Sequence, residues 1–196
     1  MDTVRYFVAL LMLPAMVFAI SYWLIIHPLA GFWRRFHPLI TYGVVTVVCL
    51  LLAAGVYLVR APLLSVEFGT SLTLIPVAIV SYGVSLAIEV RCRKYLKFRI
   101  LAGLPEVTGS ETAGKLLTEG IYSRLRNPRY VGVMFAVIAV ACFTNYLISY
   151  LLIPATALGL YVIVILEERE LGERFGSEYQ SYCDRVPRFL PKMSRS

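Results

Sequence analysis

Three polar runs of this 196-residue chain carry the residue types that chemistry needs. The first is Gly109-Ser110-Glu111-Thr112-Ala113-Gly114-Lys115-Leu116, with the glycine and lysine spacing of a phosphate-cradling loop. It puts Leu116 where such a loop needs a magnesium-binding hydroxyl, and no strand precedes it. Nucleoside triphosphate chemistry is excluded on that ground, and the run reads as a Gly/Ser/Thr connecting loop. The second run extends from Leu116 through Gly120, Tyr122, Arg124, Arg126, Asn127 and Pro128 to Tyr130. Gly120 permits a turn, and Asn127-Pro128 turns the chain out of helix. Its tyrosines, cations and amide can stack on a flat heterocycle and bond its polar substituents. The same composition also suits a plain membrane-flanking segment with positive charge and an aromatic belt. The third run is Glu167-Glu168-Arg169-Glu170-Leu171-Gly172-Glu173-Arg174. Adjacent helical residues project in different directions, so Glu167 and Glu168 face different partners. Arg169–Glu173 and Glu170–Arg174 have the spacing of exposed helical ion pairs. Glu167 and Glu168 stand where an apolar stretch ends. An acid at membrane depth needs a partner and can accept from ribose hydroxyls or a cationic ligand; the alternative is a plain helix end entering water.

The elements that must position these runs are apolar. Hydrophobic residues make up 59% of the chain and charged residues 16%, with a mean hydropathy of +0.73. A soluble enzyme and a disordered chain are both excluded by such a composition. No charged residue lies between Arg5 and Arg34, Arg35 and Arg60, Glu67 and Glu89, or Tyr130 and Leu166. The last gap is too long for one crossing and must fold back, with Asn145 the most polar place for the bend. Five helices are expected, roughly Val4–Ile26, Leu39–Val59, Leu72–Val90, Tyr130–Phe143 and Leu147–Leu166, the fourth short. The fold class is an all-α polytopic membrane protein with a cofactor-binding loop and a C-terminal helix on the cytoplasmic side. Residues 1–196 read as one integral-membrane domain: three helices within 1–90, then loop, helical hairpin and tail within 91–196.

Pro14, Pro76 and Pro154 are expected to kink three helices. Gly83 with Ala87, and Ala155 with Gly159, have the spacing that lets helices approach closely. The first helix reads as a retained anchor, not a cleaved signal. Cys49, Cys92, Cys142 and Cys183 show no ligand spacing, and no metal site is expected. His27 and His37, each before a proline, read as interfacial turn residues. Five crossings put the 91–129 loop, Arg34, Arg35 and the tail on one face. That face carries 17 of the 19 Lys and Arg residues, which marks it as cytoplasmic. Its basic excess attracts anionic lipid headgroups. No recognition motif accompanies it, so no nucleic-acid partner is expected.

Several separate motifs then fall into one order. They are Gly120-x-Tyr122-x3-Arg126-Asn127-Pro128-x-Tyr130-x-Gly132, Asn145, Glu167-Glu168, Phe175-Gly176-x-Glu178-Tyr179-x2-Tyr182, and Val186-Pro187-Arg188-Phe189-Leu190-Pro191. Together they resemble the isoprenylcysteine carboxyl methyltransferase family, integral-membrane enzymes related to phospholipid methyltransferases. The resemblance covers the C-terminal half. It implies S-adenosylmethionine as methyl donor, S-adenosylhomocysteine as product, and no metal. The cofactor-binding set it implies is Lys115, Leu116, Leu117, Gly120, Tyr122, Asn127, Pro128, Tyr130, Glu167 and Glu168. Arg126 and Glu167 carry the expected catalytic roles: Arg126 orienting an anionic group, Glu167 binding cofactor and taking a proton if the nucleophile is an amine. No Rossmann glycine fingerprint occurs, and the resemblance needs none.

Two positions depart from the isoprenylcysteine enzymes. Asn127 stands where they usually carry His, and asparagine cannot carry a proton charge. Ile163 stands where they carry an Arg thought to meet the substrate carboxylate. Asn-Pro-x-Tyr is closer to the phospholipid N-methyltransferase pattern. The expected function is methyl transfer to a lipophilic acceptor arriving from the bilayer (a bacterial-type inner membrane or the endoplasmic reticulum), with phospholipid amine methylation as the alternative. A sterol-reductase-like chemistry on the same scaffold is a further reading. So is a non-enzymatic transporter or assembly protein, although the spans lack the ionisable path a transporter uses.

Overall fold

The structure, a computed structural model, describes residues 1–33, 35–95 and 116–190. Its regular elements are helices: α1 (Asp2–Ile26), α2 (Ala30–Trp33), α3 (Pro38–Leu58), α4 (Arg60–Leu63), α5 (Leu74–Arg93), a single 3-10 turn (Gly120–Ser123), α6 (Pro128–Thr144), α7 (Leu147–Phe175) and α8 (Ser177–Arg185). Four of them, α1, α3, α5 and α7, are long and apolar enough to cross a bilayer. Helix α6 has 17 residues, short of the ~20 a perpendicular crossing needs. The chain is a polytopic, all-helical membrane protein, with outward apolar side chains such as Leu39, Leu51, Leu58, Ile79 and Leu158 left exposed for lipid.

All five expected spans are present. The fifth runs on past Leu166 to Phe175, because the charged residues that leave the apolar stretch still favour helix. Helix α5 packs most extensively on α6, and α1 on α3; α7 lies against both α6 and α1. Two glycines set the closest approaches. A Cβ on Gly132 of α6 would lie 3.1 Å from Ile88 of α5, and one on Gly159 of α7 would lie 3.1 Å from Ile20 of α1. Gly83 has nothing within 4 Å, so only the second expected small-residue pair marks a contact. Pro14 and Pro154 sit inside their helices, but Pro76 falls in the first turn of α5, where no intrahelical donor is lost.

The bend between α6 and α7 is where polarity places it. Asn145 adopts φ 54°, ψ 44°, a left-handed conformation that asparagine tolerates at a helix end. Strand-like bonds from Phe68 N to Asn145 O (3.0 Å) and from Leu147 N to Val66 O (3.1 Å) fasten the 66–68 segment across it. Arg5 completes this end. It is 1% exposed, donates through Nε and Nη2 to the Thr144 carbonyl (3.0 and 2.8 Å), and reaches Asp2 (2.9 Å) and Glu67 (3.0 Å). Arg5 thus ties α1 to the hairpin bend.

Candidate functional site

At the other end of α1 three chain segments meet. The first is the approach to α6, which passes through the 3-10 turn at Gly120. There φ is +61°, and a Cβ would collide with the Tyr95 ring, so glycine is required on two counts. Pro128 then opens α6, where its missing N–H costs nothing. The second segment is the tail at 186–189, which lies along the approach through Arg126 N to Pro187 O (2.9 Å) and Asn127 N to Arg188 O (3.2 Å). The third is the charged extension of α7.

Glu167 and Glu168 point to different partners, as their adjacency on a helix demands. The Glu168 carboxylate accepts from Asn127 Nδ2 at 2.7 Å and from Arg188 Nη2 and Nε at 2.7 and 3.1 Å, while Arg126 Nε lies 3.3 Å away. Its side chain is 10% exposed, and those of Arg126 and Arg188 are 12% and 35% exposed. This carboxylate therefore binds all three segments together. The Arg188 guanidinium is held above its ordinary range by its hydrogen bonds to Glu168, against the opposing effect of burial. Arg126, expected to stand ready for an anion, is turned to Glu168, although its Nε makes no well-formed hydrogen bond.

Glu167 accepts a hydrogen bond from the Tyr130 hydroxyl and faces His27, whose Nε2 lies 3.4 Å away. His27 Nδ1 lies 3.2 Å from Glu170, and Trp23 stacks on the ring at 5.0 Å and 18°. Burial draws the imidazole pKa down, but the two carboxylates outweigh it and hold it up at about 9. His27 does stand in the turn after α1, as its sequence context suggested, but its ring is buried between two carboxylates, whereas His37 caps α3 through its ring nitrogen. Glu170 is not an ordinary surface acid. It turns to His27, while Arg169–Glu173 does form the expected exposed pair at 2.9 Å. The sequence reading gave neither His27 nor Glu170 a place in the site. The usable signal was an ionisable residue closing an apolar helix, the same depth argument that picked out Glu167.

The remaining residues line the flanks. Tyr122 is buried, edge-on to Tyr95, with burial pushing its phenol well above the ordinary range. Tyr182 donates to the Tyr122 carbonyl at 2.7 Å, and burial pushes its own pKa up to about 12, which keeps it a donor at neutral pH. Leu116 packs with Tyr179, Tyr182 and Val186 in an apolar cluster between the approach and α8, with Leu117 half-buried beside it. Ile163 is fully buried against Tyr130, Leu160 and Val164, with Phe189 packed on the group. Lys115 and most of the Gly109–Leu116 run lie outside the described residues. The structure thus gathers Arg126, Asn127, Tyr130, Glu167 and Glu168 around one junction, with Pro128 opening the helix there. Gly120, Tyr122, Leu116 and Leu117 lie along the approach.

A cavity of about 270 Å³ opens one helical turn away, between α1, α5 and α6. Met12, Met16, Leu86, Ala136, Val137 and Val140 give it an apolar wall, and the Glu89–Arg93 ion pair (2.8 Å) stands at one end. Val133 lines this cavity and packs beside Tyr130, so the two sites adjoin.

Residues 98–178 match the family described as Phospholipid methyltransferase, which shows the resemblance read from the motifs over that stretch. Methanethiol S-methyltransferase 1 of Bradyrhizobium diazoefficiens is 36% identical over 97 residues, covering 46% of this chain and 33% of its own length. The chain therefore spans about a third of that relative. No solved structure matches it.

Proposed function

We propose that the protein transfers a methyl group from S-adenosylmethionine to a small or slender lipophilic acceptor that reaches the site from the membrane. The observation that carries this reading is the junction itself, where the approach to α6, the exit of α7 and the tail meet over Glu167 and Glu168. The residues present fit the cofactor. Glu167, 24% exposed, has carboxylate capacity left to accept from ribose hydroxyls or an amino group. Arg126, paired with Glu168 through Nε (3.3 Å), keeps a positive charge beside the junction that favours an amino-acid carboxylate there. When bound, the sulfonium supplies an electrophilic methyl carbon. Glu168 keeps Asn127, Arg126 and Arg188 at fixed positions, and positioning is most of what an in-line displacement requires. Tyr130, Ile163, Val164 and Phe189 exclude water from the side facing the bilayer.

The cavity size bears on the acceptor. This groove of about 270 Å³ is open on one side and lined mainly by apolar side chains, so it suits a small apolar molecule or one stretch of alkyl chain. The buried Ile163 offers a carboxylate acceptor no counter-ion. A thiol meets both conditions, and the relative above is named for methylating one. The thiol proton must leave before the sulfur can act as nucleophile, and Glu167 is placed to take that proton or pass it to water. A phospholipid amine is the second reading, supported by the matched family's description; there Glu167 is placed to take the proton. The positive face is proposed as cytoplasmic, which gives the site a soluble cofactor. Purified protein in detergent, given methyl-labelled S-adenosylmethionine with methanethiol, a longer alkanethiol or phosphatidylethanolamine, tests the proposal by mass spectrometry. Labelled thioether is expected; label on lipid amine alone selects the second reading, and no labelled product with any acceptor refutes methyl transfer.

A further inference from the structure

His27 has no role in the function as argued so far, yet it is the most enclosed ionisable group at the junction. Its side chain is 0% exposed, and it sits between two carboxylates one helical turn apart on α7, Glu167 at 3.4 Å and Glu170 at 3.2 Å. Trp23 covers one ring face, and Arg129 of α6 lies over Trp23 (5.5 Å) and the Tyr130 ring (6.0 Å). A cation is thus wedged between α1 and α7, with its acids on α7 and an arginine of α6 beyond the indole. Its contact with Glu167 matters most. That carboxylate accepts from the Tyr130 hydroxyl and lies 3.4 Å from His27 Nε2, a charge contact without a well-formed hydrogen bond, so the two groups bias its direction and leave its outer edge for a ligand.

We propose that His27 is a positioning residue for this site: as an imidazolium clamped by Glu167 and Glu170, it orients the Glu167 carboxylate and locks the end of α1 against it, so that cofactor affinity depends on the His27 proton. The inference rests on the reading that Glu167 holds the adenosyl cofactor. A neutral imidazole offers one donor instead of two, and one of the two acids then loses its partner. If that acid is Glu167, its carboxylate is released toward solvent, and the geometry the ligand needs is populated less. The two contacts with Glu170 and Glu167 hold the proton on well above an ordinary histidine's range, so affinity is steady near neutrality and fails in alkali.

Calorimetric titration of S-adenosylhomocysteine into the detergent-purified full chain, from pH 6 to pH 10, tests this. The wild type is expected to hold its affinity to about pH 8 and to lose roughly tenfold by pH 10. Glu170→Gln, which touches His27 but is not placed against the ligand, is expected to move the alkaline midpoint down by about one pH unit. The ligand's amino group also titrates in alkali, but it does so alike in both proteins, so the difference between the two profiles is the readout. His27→Gln is expected to bind roughly tenfold more weakly at pH 7, and His27→Lys to recover part of that loss. Superimposable profiles for wild type and Glu170→Gln, or wild-type affinity in His27→Gln, overturn the inference. A wild type that binds no S-adenosylhomocysteine at any pH instead overturns the cofactor reading beneath it.

Discussion

Replacing Glu168 by Gln removes one charge from the junction and almost no volume. The amide oxygen can still accept one bond, but its NH2 faces the donors of Asn127, Arg126 and Arg188, which lie 2.7–3.3 Å from the carboxylate. Breaking a buried ion pair by removing one partner costs about 3–5 kcal/mol, because the other charge stays buried and uncompensated. Arg126, at 12% exposed, suffers nearly all of that; Arg188, at 35%, recovers part of its hydration, which lowers the figure. The net expectation is about 2–4 kcal/mol. For a chain of this length each kcal/mol lowers the melting temperature by roughly 2–4 °C. Differential scanning fluorimetry in detergent should therefore show a fall of about 4–16 °C. A double-mutant cycle with Arg188→Gln should give a coupling of at least about 1 kcal/mol, since the two groups share a hydrogen bond. A shift within 2 °C, together with additive single and double variants, would refute the claim that Glu168 binds the three segments together.

Other perturbations separate the two ends of the molecule. Arg5→Ala strands Glu67 and the Thr144 carbonyl and should cost about 3 kcal/mol, read as a lower melting temperature, with S-adenosylhomocysteine affinity per folded molecule unchanged. Gly120→Ala meets both a positive φ and the Tyr95 ring and should destabilise by about 1–3 kcal/mol by the same measurement. The raised His27 pKa makes a linked prediction about stability. Its contribution is whole below pH 6.5, where folded and unfolded chains both bind the proton. It declines as pH rises and is gone above about 9, so thermal midpoints should fall across that window and fall less in His27→Gln. Ala136→Phe fills the cavity and should raise KM for alkanethiols several-fold while leaving S-adenosylhomocysteine affinity intact, as steady-state kinetics beside calorimetry will show.

The helices were legible because lipid imposes one solution. Charge-free runs of crossing length must be helices, and a gap of double length must bend, at the residue best able to adopt a left-handed conformation. Asn145 does both. The divergence of Glu167 and Glu168 was legible for a similar reason, since helical geometry forbids adjacent residues a common partner. What could not be read was which remote groups meet them. Nothing in the spacing of His27 and Glu170 encodes a contact across 143 residues of sequence. Local pattern offered Glu170 a partner in Arg174 and gave no sign of the contact with His27 that tertiary packing creates. Arg188 was visible only as part of a motif, and its bond to Glu168 depends on a tail that folds back over the approach to α6. The burial of Arg5 was not legible either, because it depends on carbonyl and carboxylate partners that the bend of the hairpin supplies.

The central claim is that Glu167 stands in an adenosyl-holding cleft formed by the start of α6 and the exit of α7. Isothermal titration of S-adenosylhomocysteine into wild type and Glu167→Ala at pH 7, each first shown folded by its melting transition, tests it most directly. Binding by the wild type and none by the folded variant is the predicted result. Equal affinity in the two proteins would contradict the account.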